Sequence, residues 1–306
     1  MSQTGLMEER RGPLPIALSA ATTVVGVMGD PVVHSLSPRL HNTAFAELGV
    51  DWISVGFPVP AGQVGAALSG AAALGVVGLS VTMPHKEAAA QVADDLSPVA
   101  ERIGAVNCLI RRGPGWLGDS TDGPGFVAAL RRGDRFDPSG QPCLVIGAGG
   151  AARAVVAALA AAGAAEVVVV NRSAARAASA AALAGSVGRV GVPEEAAGCS
   201  LVVNATPVGM VSHGPWPVDP ALLGKKQLVV DLIYHPATTA WLGAARQRGA
   251  QVANGLGMLV HQAALQLTAW TGLEAPVEAM WRAVRLDPVS SWSTTPPHTP
   301  PPGHGP

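Results

Sequence analysis

"CLVIGAGGAARAVVAALAAAG", Cys143 to Gly163, decides the fold. Four apolar residues run straight into glycines at 147, 149 and 150, and an alanine-rich stretch follows. A short apolar run reads as a buried strand and the alanine stretch as a long helix, which leaves the glycines in the turn between them. Gly147-Ala148-Gly149-Gly150-Ala151-Ala152 satisfies G-x-G-x-x-G/A in the strand–turn–helix setting that gives the pattern meaning. Gly147 permits the tight turn, Gly149 lets backbone approach a pyrophosphate, and Ala152 keeps the helix close to the strand. The helix N-terminus then faces the phosphates of a bound dinucleotide.

Strands and helices alternate on both sides of this unit. Upstream, Thr23–Gly29, Trp52–Val59 and Val76–Thr82 read as strands, and Pro38–Leu48, Gln63–Leu74 and Lys86–Asp94 as helices. Leu109–Asp122 reads as a hairpin around Gly113–Gly115. Downstream, Glu166–Ser173, Ser200–Pro207, Gln227–Tyr234 and Ala250–Gly255 read as strands. Ala174–Leu183, Ala237–Arg248, Gly255–Trp270 and Pro276–Val284 read as helices. Alternation of this kind predicts an α/β fold with a mostly parallel sheet. The 306 residues suggest two domains. The expected division is a leader at 1–20, a first domain at 21–122 completed by 255–288, a Rossmann domain at 123–254, and a disordered Pro-rich tail at 289–306.

Composition excludes several classes. A formal net charge of −1 gives no electrostatic reason to expect nucleic acid or an anionic membrane surface as partner. No run approaches the length of a membrane span, since Gly163 and Glu166 interrupt the nearest candidate, Ala154–Val170. Two acids and two prolines spoil the faint likeness of the start to a signal peptide. Cys108, Cys143 and Cys199 are odd in number and widely spaced, which fits a reducing, cytoplasmic compartment better than a disulfide framework. His34 and His41 have no cysteine or carboxylate cluster beside them, so no metal is expected there.

The end of the strand after the glycine turn discriminates between dinucleotides. An acid there would bind a ribose 2′-hydroxyl. This chain has Asn171-Arg172-Ser173 and then Arg176, donors that suit a 2′-phosphate and so NADP. Near the start, Ser35 and Ser37 flank a strand-to-helix turn, with Pro38 in the first helical turn and Ser37 as its expected cap. Only three of the 20 basic residues are lysines, and one of them, Lys86, closes "GLSVTMPHK", Gly78 to Lys86.

These stretches, together with "HSLSPRLHN", "GAVNCL", "STDGPGF", "NRSAAR", "NATPVGM", "DLIYHP" and "GLGMLVHQA", stand in the order and spacing of the shikimate dehydrogenases, which they resemble. The resemblance spans about Val24 to Val284. It implies an enzyme that reduces 3-dehydroshikimate to shikimate with NADPH in aromatic amino-acid biosynthesis. Lys86 and Asp122 would then form the catalytic pair. Ser35 and Ser37 would bind the substrate carboxylate with help from Tyr234, while Thr82, Asn107 and Gln262 would bind ring hydroxyls or the carboxylate. Gly147, Ala148, Gly149, Gly150 and Ala151 would hold the pyrophosphate, and Asn171, Arg172, Ser173 and Arg176 the 2′-phosphate. Thr206, Leu232, Gly255 and Met258 would line the nicotinamide side.

The resemblance accounts for the lysine. Hydride delivery to a ketone builds negative charge on oxygen, and an ammonium can neutralise it and give up a proton. A guanidinium stays protonated at any working pH. The chain departs from the family pattern at Ser80, Cys108 and Ser120, none of which is an expected substrate contact. Other expectations are a small-molecule substrate, no metal, and a homodimer as one assembly. Three alternatives stand beside the main reading: an NAD-using quinate/shikimate dehydrogenase, an aminoshikimate-type paralogue, and an NADP-sensing protein without catalysis.

Overall fold

A computed structural model describes residues 18–210 and 216–285. Most of the expected leader and the whole expected tail lie outside the described residues. Within them, the chain builds two six-stranded sheets flanked by helices.

The first sheet contains β1 (Thr23–Gly29), β2 (Trp52–Pro58), β3 (Gly78–Val81), β4 (Asp95–Leu96), β5 (Cys108–Arg112) and β6 (Gly115–Asp119). Its order is β2-β1-β3-β5-β6-β4. β1 is parallel to β2 and β3, and β4 to β6, whereas β5 runs antiparallel to both of its neighbours. The β5–β6 hairpin turns at Gly113 (φ 55°), a left-handed position natural to glycine. β3 is buried at every position, as a central strand covered on both faces must be.

Helices α1 (Ser37–Leu48), α2 (Val64–Ala73), α3 (Lys86–Val92) and α4 (Pro98–Ile103) belong to this half. α9 (Leu256–Thr271) and α10 (Val277–Arg285) return to it from the far end of the chain. Val260, Leu267 and Met280 share a core with Val25, Leu40 and Phe45. Trp270 reaches the sheet itself, where its Nε1 donates to the Leu109 carbonyl at 3.1 Å.

The second sheet is parallel throughout, in the order β12-β11-β10-β7-β8-β9. Its strands are β7 (Pro142–Ile146), β8 (Glu166–Val170), β9 (Gly188–Val190), β10 (Leu201–Asn204), β11 (Leu228–Asp231) and β12 (Gln251–Asn254). Helix α6 (Gly150–Ala161) follows β7, α7 (Ala174–Ala181) follows β8, and α8 (Ala240–Gln247) precedes β12. Val145, Val155, Val169 and Val203 lie in one core on this sheet.

The sequence reading set no element at β4, α4 or β9, and it differs from the structure in further places. α5 (Asp122–Arg132) was not expected, because Gly123, Pro124 and Gly125 resemble breakers. The proline sits in the first turn, where its missing N–H costs nothing. Both glycines are needed for close packing: a Cβ on Gly123 would lie 2.8 Å from the Ala154 carbonyl of α6, and one on Gly125 2.7 Å from the Gln262 nitrogen of α9. The helix expected from Ala237 starts at Ala240, behind Thr239 as cap. The cap expected of Ser37 is also corrected: Leu36 is the N-cap of α1, without a side-chain bond, and Ser37 is the first helical residue.

Candidate active site

Strand direction gathers the candidate substrate residues at one edge. Ser35 and Ser37 follow β1, Thr82 and Lys86 follow β3, and Asp122 follows β6, each beyond the C-terminal end of its strand. Asn107 precedes β5, whose antiparallel course brings it to the same edge. Ligands of open α/β sheets bind at this edge.

Lys86 Nζ donates to Asp122 Oδ2, with side chains 17% and 5% exposed. Asp122 opens α5, where the helix end favours a negative charge. Its other oxygen accepts from Asn107 Nδ2 at 2.8 Å, and the same amide lies 3.1 Å from Gln262 Oε1. Asn107 Oδ1 in turn accepts the Thr121 N–H at 2.7 Å. Lys86, Asp122, Asn107 and Gln262 therefore form one connected polar group drawn from α3, α5, the approach to β5, and α9. Thr82 is not hydrogen-bonded into that group; its backbone N–H donates to the Met28 carbonyl at 2.9 Å, which ties the loop after β3 to β1.

Ser35 Oγ accepts the Ser37 N–H at 3.3 Å. Ser37 is buried and Ser35 half-buried. Tyr234, beyond β11, reaches this turn from the other half of the molecule: the Leu36 N–H faces its oxygen, and burial raises the phenol above its ordinary range. His41 is a core residue, with Nδ1 3.1 Å from Ser54 Oγ and its ring edge-on to Trp270. Burial lowers it to about 3, so it stays neutral. Among the described residues, no group of three or more His, Cys, Asp or Glu is placed to hold a metal ion.

Three positioning groups escaped the sequence reading. Buried His85 donates from Nε2 to the Val59 carbonyl at 2.6 Å, which anchors the residue before Lys86. Thr121 Oγ1 donates to the Gln262 carbonyl at 3.1 Å. Gln266 Nε2 donates to the Asn107 carbonyl at 2.8 Å. Gln266 stands one helical turn beyond Gln262, and that spacing was the only available signal.

The glycine turn has the form a dinucleotide needs. Gly147 adopts φ 120°, and a Cβ there would lie 2.9 Å from the Ala205 carbonyl. A Cβ on Gly149 would meet nothing within 4 Å, so the backbone at the start of α6 is open to a phosphate. Gly150 faces the first half: its built Cβ would lie 3.0 Å from Lys86 Cβ. The lysine thus packs against the phosphate turn, and the two candidate sites adjoin.

Thr206 is held by its Oγ1 bond to Asn204 Oδ1 at 2.7 Å. A Cβ on Gly255 would lie 2.0 Å from the Leu232 carbonyl, so this pair closes tightly at the ends of β11 and β12. Met258 lies in the core of the second half. Asn171 donates to the Ser173 carbonyl at 3.1 Å, and Ser173 caps α7 by accepting the Arg176 N–H. Arg172 and Arg176 are exposed, and Arg176 of α7 is paired with Glu87 of α3. The departures are buried: Ser80 in β3, Cys108 at the start of β5, and Ser120 beside Thr121. Burial pushes the Cys108 thiol far above its ordinary range, which makes it unreactive.

Three family models match the chain. Residues 27–109 match the shikimate dehydrogenase substrate binding domain, 131–192 the shikimate / quinate 5-dehydrogenase model, and 255–285 the shikimate 5′-dehydrogenase C-terminal domain. The shikimate dehydrogenase (NADP(+)) of Methanopyrus kandleri is 45% identical over 88% of this chain and 97% of its own length. That of Moorella thermoacetica is 44% identical over 88% and 95%. A crystal structure of the Thermus thermophilus shikimate 5-dehydrogenase, in complex with NADP(H) and shikimate, is 39% identical and superposes with a TM-score of 0.80. That alignment covers 86% of this chain and 98% of the other.

Proposed function

The chain belongs to the shikimate dehydrogenase family, and from that premise we propose that it catalyses the reversible NADPH-dependent reduction of 3-dehydroshikimate to shikimate. The observation that carries this reading is the contact of Lys86 with Asp122, tied through Asn107 to Gln262 and packed against the glycine turn.

When bound, NADPH supplies the hydride for the ring carbonyl carbon. As negative charge develops on the oxygen, Lys86 gives it a proton, becomes the neutral amine, and is reprotonated from solvent. Asp122 holds the lysine in place and accepts from a ring hydroxyl. Asn107, Gln262 and Thr82 orient the remaining hydroxyls, and Ser35 and Ser37, steadied by Tyr234, receive the carboxylate. For the cofactor, Gly147 to Ala151 hold the pyrophosphate by backbone and Asn171, Arg172, Ser173 and Arg176 hold the 2′-phosphate. Thr206, Leu232, Gly255 and Met258 border the nicotinamide. The residues suit such a group: the turn is open at Gly149, and no carboxylate occupies the strand end at Asn171.

On this reading residues 21–122 with 255–288 form the substrate domain and 123–254 the cofactor domain; the two separate sheets support the division. Three free, buried cysteines support a cytoplasmic setting, and light scattering tests the homodimer. The function itself is tested by initial rates for shikimate and quinate, each with NADP and NAD. Shikimate with NADP should give the highest catalytic efficiency. Folded protein that reduces no NADP with shikimate, or that prefers quinate with NAD, overturns the reading.

A further inference from the structure

Arg176 is exposed, yet its guanidinium has a partner. Its Nη2 lies 2.9 Å from Glu87 Oε1, and this ion pair joins α7 of the second half to α3 of the first. The side chains are 57% and 50% exposed. Glu87 directly follows Lys86, in the first turn of α3. Arg176 stands one turn beyond Asn171-Arg172-Ser173, where the proposed function sets the 2′-phosphate. One guanidinium thus has a carboxylate already in contact and a phosphate assigned to it.

We infer that Glu87 sets cofactor specificity by competing with the 2′-phosphate of NADP for Arg176. The inference rests on the reading that Arg176 meets that phosphate. A phosphate monoester carries nearly two negative charges near neutral pH, as phosphorylated side chains do. When it reaches Arg176, the Glu87 carboxylate must either release the guanidinium or share it beside a like charge. Both cost affinity for NADP. NAD offers a neutral 2′-hydroxyl there and leaves the ion pair intact. Glu87 therefore narrows the preference for NADP, and NADP binding loosens a tie between α7 and α3 next to the catalytic lysine. Because both groups are half exposed, solvent keeps the effect modest: removing the charge should tighten NADP by roughly two- to fivefold.

The test is equilibrium binding of NADP+ and NAD+ to the full chain by calorimetry, in wild type, Glu87→Gln, Arg176→Ala and the double variant. Exposed Gln at position 87 keeps helix propensity and a hydrogen-bonding amide, so folding should be unaffected. Glu87→Gln should tighten NADP+ by the factor above at about 0.01 M salt and leave NAD+ within about twofold. The gain should shrink at about 1 M salt, where the Debye length falls to about 3 Å, and should vanish in the Arg176→Ala background. Unchanged or weaker NADP+ binding, or an equal shift for NAD+, overturns the inference. The Arg176→Ala arm separates the two claims. If it spares NADP+ binding, the phosphate assignment fails; if it weakens NADP+ selectively while Glu87→Gln does nothing, only the competition fails.

Discussion

Lys86 is one of three lysines, and each of its neighbours has a distinct task. His85 anchors the backbone through the Val59 carbonyl, Lys86 meets Asp122, and Glu87 meets Arg176. Removing the amine should abolish proton delivery without disturbing the phosphate turn. Lys86→Ala is expected to lower kcat by about 10²- to 10⁴-fold with NADP+ affinity retained, as stopped-flow turnover and calorimetry would show. Lys86→Arg should fail comparably, since a guanidinium does not deprotonate. A variant as active as the parent removes this lysine from the mechanism.

Among the elements, α5 holds the two halves together. Gly123 lies against α6 and Gly125 against α9, two residues apart and so on nearly opposite faces of the helix. A methyl at Gly125 would lie 2.7–2.9 Å from the backbone and Cβ of Gln262, which cannot yield without moving that residue. Gly125→Ala should cost about 1–3 kcal/mol in a denaturant melt and raise the KM for shikimate. Gly123→Ala meets the Ala154 carbonyl of α6 at 2.8 Å. It should destabilise similarly and leave that KM nearly unchanged. Equal effects of the two on KM would show that Gln262 is not the group displaced.

At the scale of the whole molecule, contacts of α4 and α5 with the second half fix how the sheets face each other. Arg153 Nε of α6 donates to the Ile103 carbonyl at 2.5 Å, and Arg102 to the carbonyl of Leu183. The Asp134 carbonyl, after α5, accepts from Gln251 of β12 at 3.0 Å. Burial raises the Asp134 carboxyl from 3.8 to about 6. A carboxyl raised in the folded state favours folding when protonated, so its contribution is complete below about pH 4 and is lost as pH rises through 6. Asp134→Asn should therefore melt higher than wild type at pH 8, by about 1 kcal/mol once partial exposure is allowed for, and the gap should close towards pH 4. A gap that widens on acidification contradicts the burial argument.

Most of the strand and helix order, the glycine turn and the basic strand end were legible in the sequence. Each is written in neighbours two to four positions apart, and the local periods of strand and helix report them directly. The chain alone also singled out Lys86, by the scarcity of its residue type. Tertiary packing decided the rest. α5 could not be read locally, because Gly123-Pro124-Gly125 looks like a break until α6 and α9 are laid against it. Asn107 and Gln262 lie 155 positions apart, and Glu87 and Arg176 89. Such pairs meet only when elements far apart in the chain have packed together, since contact across that separation depends on the sum of all the buried surfaces rather than on any local pattern.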